Sequence, residues 1–255
     1  MEKRKTIAIF DSGIGGLTLL KDCYLHLQGV NFIYLADNGN MPYGNKCELE
    51  IFQKTKVALQ SLSAYSIDAL VLACNTVTAI CVEKLREDSA LQYPIFGIEP
   101  AILPALQNVK EEKKSILLLA TNATLQSKRV QKLLQKYNIN GQIVCNAPRE
   151  LASMIEKNIL QLDRVDWSQY LPEGEFDSVI LGCTHYIHIQ EYIQMHFQTR
   201  IFDGNIGTVN HIRQKLLNMK KNGNFVKNTV QFIGKQADFN AKIFKNMLEE
   251  SNKNL

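Results

Sequence analysis

The sequence predicts an α/β fold made of two pseudo-symmetric domains of similar topology, each with a mainly parallel sheet flanked by helices. Short apolar runs alternate with segments whose apolar positions recur at helical spacing, as in strand–helix–strand units. Runs such as "ALVLA" and "ILLLA" are apolar at every position, which is typical of strands buried on both faces of a parallel sheet. The order of four strands in the first half then recurs in the second half.

Strands are predicted where short runs of β-favouring apolar residues are bounded by polar or turn-forming residues. In chain order they cover residues 6–10, 31–36, 68–73, 93–98, 115–120, 141–146, 178–183, 200–203 and 230–234. Helical spacing of apolar positions is clear over 16–27 and over 49–65. A closing helix is predicted over 238–250.

The two halves carry the same chemistry at matching strand ends. Asp11 and Cys74 are 63 positions apart, Thr121 and Cys183 are 62 apart, and each cysteine follows an apolar run. We interpret this match as an internal duplication, in which the surplus last strand and helix return to the first domain. The absence of a Gly- or Ser-rich linker between the halves favours a close interface. The predicted domains are residues 1–97 plus 208–255 and residues 98–207.

Composition limits the class of protein and its partners. The 255 residues are 45% hydrophobic and 21% charged, with a formal net charge of +4 carried largely by scattered lysines, so an ordinary globular protein is expected. The sequence lacks the cluster of Arg and aromatic residues that a nucleic-acid groove would use. No run approaches the roughly 20 apolar residues of a membrane span, and the first apolar stretch is too short for a signal peptide. We therefore expect a cytoplasmic protein with no nucleic-acid or membrane partner.

The glycine-rich stretch "DSGIGG" at 11–16 follows the first predicted strand. In open α/β sheets, ligands bind beyond the carboxyl ends of the strands, where helix N-termini offer free N–H groups. Glycines at such an end allow a ligand to approach the backbone closely. A dinucleotide site is the competing interpretation. It is disfavoured because Thr18 stands where the fingerprint requires Gly or Ala, and because Asp11 would repel a pyrophosphate.

Six cysteines are present, and free thiols are expected in the cytoplasm. The lack of a C-x-x-C pair weakens any zinc or dithiol interpretation. Cys74 and Cys183 occupy equivalent strand ends, whereas the other four cysteines have no such match and are assigned to packing. Because a helix N-terminus lowers the pKa of a thiol, either matched sulfur is a candidate base or nucleophile.

Two thiols on opposite sides of a cleft fit the inversion of a stereocentre. That reaction needs a base on one face of an acidic carbon and an acid on the other, with the roles exchanged in the reverse direction. Cys183 with His185, two residues along a strand end and on the same face, would instead suit a hydrolase. His185 with His188 would suit half a metal site. Neither alternative explains the second cysteine, and His188 is otherwise assigned to a surface or packing position.

Five motifs extend this interpretation, in the order "FDSGIGG" (10–16), "AD" then "PYG" (36–37 and 42–44), "ACNT" (73–76), "ATNAT" (120–124) and "GCTHY" (182–186). Together they resemble the motifs of the glutamate racemases, in the aspartate/glutamate racemase superfamily. The resemblance implies a homodimer that interconverts L- and D-glutamate without a cofactor or metal and supplies D-glutamate for bacterial peptidoglycan. An aspartate racemase and a non-catalytic protein that binds an acidic amino acid are the alternatives.

The resemblance also implies roles for individual residues. Cys74 and Cys183 resemble the two acid/base thiols. Asp11 resembles the acidic residue that assists Cys74, and His185 resembles the partner of Cys183. The substrate-binding set implied in the same way is Asp11, Ser12, Pro42, Tyr43, Gly44, Asn75, Thr76, Thr121, Thr184 and His185.

Departures from the family pattern leave some choices open. The family adds a glutamate on the Cys183 side, and "CNAPRELASMIEK" lacks the usual proline-rich context, so Glu156 is assigned with Glu150 as the alternative. Ile187 stands where the family usually has a proline, and a changed helix start is expected. A lone aspartate such as Asp11 is ordinarily a helix N-cap. Near a thiol, its carboxylate would accept a proton or keep that thiol neutral.

Overall fold

The computed structural model describes residues 4–108, 115–138, 141–216 and 227–253. These residues form the strands β1 (Lys5–Asp11), β2 (Val30–Ala36), β3 (Ala69–Leu72), β4 (Ile95–Gly97), β5 (Ile116–Ala120), β6 (Ile143–Asn146), β7 (Ser178–Gly182), β8 (Arg200–Asp203) and β9 (Thr229–Ile233). The α-helices are α1 (Leu17–His26), α2 (Glu48–Leu59), α3 (Asn75–Arg86), α4 (Ile102–Asn108), α5 (Asn122–Gln126), α6 (Lys128–Tyr137), α7 (Leu151–Asn158), α8 (Thr184–Ile187), α9 (Gln190–Phe197), α10 (Asn205–Leu216) and α11 (Ala237–Lys253). Short 3₁₀ helices cover Asn38–Asn40, Tyr43–Asn45, Gln60–Ala64, Leu162–Arg164 and Ser168–Tyr170.

The α/β fold class predicted from the sequence is confirmed, and each predicted strand is present close to its expected limits. The segment predicted as one helix over 49–65 is instead α2 followed by the 3₁₀ helix Gln60–Ala64. None of the helices in the described ranges combines the length and the apolar character needed to cross a membrane.

The strands form two parallel sheets, in the orders β4-β3-β1-β2-β9 and β6-β5-β7-β8. Read from its other edge, the second sheet repeats the order of the first four strands, as an internal duplication predicts. β9 lies beside β2, with Asn31 opposite Thr229, so a strand from late in the chain completes the first sheet. The domain limits at 97/98 and 207/208 stay a prediction.

Both faces of each sheet are covered by packed side chains. Along β1, Ile7 and Ile9 belong to one apolar cluster, whereas Ala8 and Phe10 belong to another, and all four are fully buried. This alternation follows from the two-residue period of a strand. Truncating one such large side chain costs about 2–5 kcal/mol of stability. The burial holds β1 firmly in place, and with it the position of the polar residues that follow.

Candidate active site

The carboxyl ends of strands from the two sheets meet and share one site. β1 and β3 are neighbours in the first sheet, and β5 and β7 are neighbours in the second. Thr184, which follows β7, donates from Oγ1 to Oδ2 of Asp11 at the end of β1, at 3.2 Å. Oγ1 of Thr76, after β3, lies 2.9 Å from Oγ1 of Thr121, after β5. Polar contacts therefore join the two sheets at their ligand-facing edges.

Cys74 follows β3 and occupies the N-cap position of α3. Its side chain is 6% exposed, and Sγ lies 3.5 Å from Oγ of Ser12. Burial raises the pKa of the Cys74 thiol to about 12, and the charge of Asp11 adds to this effect. The expectation that the helix start lowers this pKa is wrong, because lost hydration outweighs the hydrogen bonds offered there. Negative charge on Cys183 raises the same pKa, so the two sulfurs interact within one site.

Cys183 follows β7 and has the N-cap position in α8 that Cys74 has in α3. It is also 6% exposed, and its Sγ lies 4.0 Å from Nδ1 of His185. His185 lies in the first turn of α8 rather than on the strand, which corrects the expectation of a shared strand face. α8 ends at Ile187 after four residues, and α9 begins at Gln190.

Buried His185 pairs with the partly buried Glu156, with Nε2 and Oε2 2.7 Å apart. Burial alone would lower the pKa of His185, but its contacts with Cys183 and Glu156 raise this pKa well above the ordinary value. Burial alone would raise the pKa of Glu156, but the hydrogen bond and charge of His185 lower it. The pair thus presents an imidazolium to Cys183, with a carboxylate behind the ring.

The structure distinguishes the two glutamates that the sequence left open. Glu156, on α7, accepts a hydrogen bond at Oε2 from the N–H of Ile14 at 2.9 Å. Its Oε1 accepts another from Nδ2 of Asn38 at 2.8 Å. Glu150 is exposed at the N-cap of α7, in a left-handed conformation with φ of 60°. Glu156 therefore lies against His185, whereas Glu150 lines the cavity beside Pro42 and Gly44.

Asp11 is fully buried at the end of β1. Its Oδ1 accepts a hydrogen bond from the N–H of Gly13 at 2.8 Å, which closes a turn of the glycine-rich loop. α1 begins at Leu17 with Gly16 at its N-cap, so the expectation that Asp11 caps this helix is wrong. Burial raises the pKa of Asp11 to about 6, which allows this carboxyl to gain or lose a proton near neutral pH.

Hydroxyl and amide groups surround the two cysteines. The Oγ1 atoms of Thr76, Thr121 and Thr124 lie 2.8–3.0 Å from one another. Asn75 is 4% exposed, and within the described residues neither Oδ1 nor Nδ2 has a hydrogen-bond partner. Because buried amides are nearly always hydrogen-bonded, this side chain has donors and an acceptor free for a ligand.

The "PYG" segment forms one wall of the site. Pro42 and Gly44 line a cavity of about 80 Å³ together with Thr121. The hydroxyl of Tyr43 donates to Oδ2 of Asp37 at 2.7 Å, and Tyr43 is buried. A methyl group added at Gly44 would lie 2.6 Å from Cβ of Thr121, so this loop packs directly on the start of α5.

Three residues of the site were not found by sequence reasoning. Thr124 completes the hydroxyl cluster, and Asn38 contacts Glu156. Thr124 lies inside a quoted motif and Asn38 lies beside one. The sequence around them, however, does not indicate which distant residues they contact. Nε2 of His188 donates to the carbonyl oxygen of Ile14 at 3.1 Å, across the two sheets. Within the described residues, no group of three or more His, Cys, Asp or Glu side chains is placed to hold a metal ion.

Comparison with known proteins identifies the family. The profile described as Asp/Glu/Hydantoin racemase matches residues 28–212. The chain belongs to the Asp/Glu/Hydantoin racemase family. Among its relatives in this family, the glutamate racemase of Clostridium novyi (strain NT) is 36% identical over 249 residues, which cover 94% of each chain. The glutamate racemase of Clostridium botulinum (strain Kyoto / Type A2) is 35% identical over 98% of this chain and 96% of its own.

Solved structures of racemases share the fold of this family member. The glutamate racemase from Campylobacter jejuni subsp. jejuni is 26% identical, has a TM-score of 0.78, and is matched over 96% of this chain and 98% of its own. The Escherichia coli glutamate racemase, solved with L-glutamate and the activator UDP-MurNAc-ala, is 25% identical with a TM-score of 0.78, over 97% and 95% of the two chains. The family resemblance predicted from the five motifs is confirmed.

The glycine-rich loop of this racemase-family protein has no room for a larger residue at Gly15. An added Cβ would lie 2.6 Å from Nδ1 of His185 and 2.8 Å from its backbone nitrogen. We expect Gly15→Ala to lower the free energy of unfolding by about 1–3 kcal/mol, as overpacking does, measured by urea unfolding. Gly39→Ala is the control, because nothing lies within 4 Å of its added Cβ. Equal losses in the two variants would contradict the tight contact.

Proposed function

We propose that this chain is a glutamate racemase, which interconverts L- and D-glutamate by two-base catalysis with Cys74 and Cys183 and without a cofactor. The observation that carries the proposal is the pair of buried cysteines at equivalent N-cap positions, electrostatically coupled across one site. Glutamate racemases similar over nearly the whole chain support glutamate as the substrate. The D-glutamate formed is a precursor of bacterial peptidoglycan.

Each turnover transfers one proton at each face of the substrate. One cysteine, as the thiolate, removes the α-proton, so that an S–H bond forms and the C–H electron pair stays on the α-carbon. The other cysteine, as the thiol, gives its proton to the opposite face and becomes the thiolate. The stereocentre is inverted, and the protonation states of the two sulfurs are exchanged without oxidation or reduction. The reverse reaction starts from that exchanged state.

The two thiols have different assistants. Cys74 rests as a neutral thiol, because its pKa is about 12 in the buried site. Before Cys74 acts as a base, its thiol proton passes to Asp11, whose pKa is about 6. On the other side, His185 is held by Glu156 at 2.7 Å and exchanges protons with Cys183. Each assistant thus adjusts the protonation state of the sulfur beside it.

Glutamate carries two carboxylates, and neutral donors bind them. Hydroxyls of Thr76, Thr121 and Thr184, the unpaired amide of Asn75, and N–H groups at the starts of α3 and α8 provide such donors. An α-proton is hard to remove without an electron sink. Donors aimed at the α-carboxylate stabilise the charge that develops on proton removal, and closure of the two domains over the ligand excludes water.

Incubation of the protein with L-glutamate in D₂O tests this function. We expect the optical rotation to fall to zero while deuterium enters the α-position, followed by polarimetry and proton NMR. L-aspartate in a parallel reaction distinguishes an aspartate racemase, which would act faster on the shorter substrate. Binding of glutamate without loss of rotation or α-deuteration would contradict the proposal and indicate a binding protein.

We also propose that the enzyme is a homodimer of the cytoplasm, as the resemblance to glutamate racemases implies. Its expected mass in solution is twice the 28.9 kDa of one chain, which sedimentation equilibrium measures. A monomer at micromolar concentration, with and without glutamate, would contradict the dimer. Fractionation of cells would contradict the location if the protein sedimented with membranes.

A further inference from the structure

A line of hydrogen bonds leads from α11 to the His185–Glu156 pair. Nδ2 of Asn240, on α11, donates to Oδ1 of Asn38 at 3.2 Å. Nδ2 of Asn38 then donates to Oε1 of Glu156 at 2.8 Å. Oε2 of the same carboxylate faces Nε2 of His185 at 2.7 Å. Asn38 and His185, from distant parts of the chain, thus meet at one carboxylate.

Two contacts together determine which end of the Asn38 amide faces Glu156: the carboxylate accepts from Nδ2, and Asn240 donates to Oδ1. An amide carries an acceptor at one end and a donor at the other, and only the donor end is favourable against a carboxylate. Asn240 is 1% exposed, and its Nδ2 donates to the oxygen of Asn38. The Nδ2 of Asn38 is therefore directed toward Oε1 of Glu156.

Neutral donors matter here because Glu156 lies among several titratable groups. His185 faces it from α8, and His188, Asp11 and Tyr34 all interact with its charge. Asp11 repels that charge, whereas protonated His185 attracts it. Asn38 donates a hydrogen bond to the Glu156 carboxylate but carries no charge of its own, so it neither attracts nor repels the other titratable groups. It also occupies Oε1, which leaves Oε2 for His185 and the N–H of Ile14.

We propose that Asn38, with its amide oxygen held by Asn240, is a positioning residue that aims the Glu156 carboxylate at His185. This inference rests on the proposed racemase function, in which His185 exchanges protons with Cys183. In this inference, the 3₁₀ helix Asn38–Asn40 and α11 also support the Cys183 side of the reaction.

Titration of Glu156 in Asn38 variants tests the inference. The pKa of its carboxyl is read from the ¹³C shift of its Cδ in labelled protein, with Glu156→Gln used for assignment. We expect Asn38→Ala to raise this pKa by about one pH unit, the size expected for a lost hydrogen bond to a charged group. The kcat for racemisation should fall about tenfold, because the carboxylate, although still ionised at neutral pH, is no longer aimed at His185, while KM changes less than kcat.

Asn38→Asp separates positioning from packing. It keeps the shape of asparagine but sets a carboxylate against Glu156, so we expect a larger pKa rise and a lower kcat than for Asn38→Ala. A packing role alone would reverse that order, because the isosteric variant would be the better one. Asn240→Ala should raise the pKa of Glu156 in the same direction by a smaller amount, without touching Glu156 itself.

Asn40→Ala is the matched control on the same loop. Its side chain bonds Asp37 and Lys54 rather than Glu156, so the pKa of Glu156 should stay unchanged. An unshifted Glu156 pKa in folded Asn38→Ala, or higher activity of Asn38→Asp than of Asn38→Ala, would overturn the inference. Racemisation by the unaltered enzyme is measured separately, so failure of the inference is distinguished from failure of the proposed function.

Discussion

Cys74→Ala and Cys183→Ala should each abolish racemisation, yet each should leave α-proton exchange in one enantiomer of glutamate. The remaining thiol still faces one side of the α-carbon, so it removes that proton and returns a solvent-derived one to the same face. Inversion is lost because no acid stands on the opposite face. We expect a loss of about 10²–10⁴-fold in racemisation, the usual contribution of a positioned acid or base.

The two variants should differ in the enantiomer that they deuterate. L- and D-glutamate are incubated separately with each variant in D₂O, and both α-deuterium and optical rotation are followed. One variant should exchange only L-glutamate and the other only D-glutamate, with no change in rotation. Cys81→Ala is the matched control, because Cys81 is a buried thiol on the same helix as the Cys74 cap but lies outside the site. Full racemisation by Cys74→Ala would refute the two-thiol mechanism.

Asp11→Asn should make the protein more stable at neutral pH while lowering its activity. Burial raises the pKa of Asp11 from 3.8 to about 6. Below pH 3.8 the carboxyl is mostly protonated in both the folded and the unfolded protein. As the pH rises toward 6, the unfolded chain ionises first, so stability is lost over this range and the loss is complete above it. The penalty above pH 6 is roughly 1–3 kcal/mol.

Urea unfolding of Asp11→Asn and the unaltered protein at pH 4 and pH 8 measures this penalty. The free energy of unfolding of Asp11→Asn should exceed that of the unaltered protein by more at pH 8 than at pH 4. Its racemase activity should fall about 100-fold, because Asp11 exchanges a proton with Cys74. Asp88→Asn is the control, with the opposite pH dependence expected, because a hydrogen bond from Lys56 lowers the pKa of the partly exposed Asp88. A pH-independent difference for Asp11→Asn would show that its carboxyl is not buried as described.

Local patterns determined the strands and the residues at their ends. A strand buried on both faces needs an apolar residue at every position. The run Ile116–Ala120 meets this requirement and is such a strand. The polar residue or cysteine that follows each run then lies at the carboxyl edge of the sheet. The place of Asp11, Cys74, Thr121 and Cys183 could therefore be predicted without any knowledge of their partners.

Long-range packing determined what the local patterns left open. Glu150 and Glu156 are six positions apart, and long-range contacts with Asn38 and with the loop at Ile14, 142 positions away, hold Glu156 beside His185. The bond between Asn38 and Asn240 spans 202 positions. No local pattern carries such information, because a hydrogen bond depends on where two distant backbones are brought by the core.

By itself the sequence determined the duplicated α/β fold, its nine strands within the described residues, and the pair of cysteines at matching ends. Those properties depend on periodicity and composition over a few residues. Only the tertiary structure decided the ionisation of Asp11 and Cys74, because their pKa values depend on burial by both domains rather than on neighbours in the chain. The same burial placed His185, Glu156 and Asn38 in one hydrogen-bonded line behind Cys183.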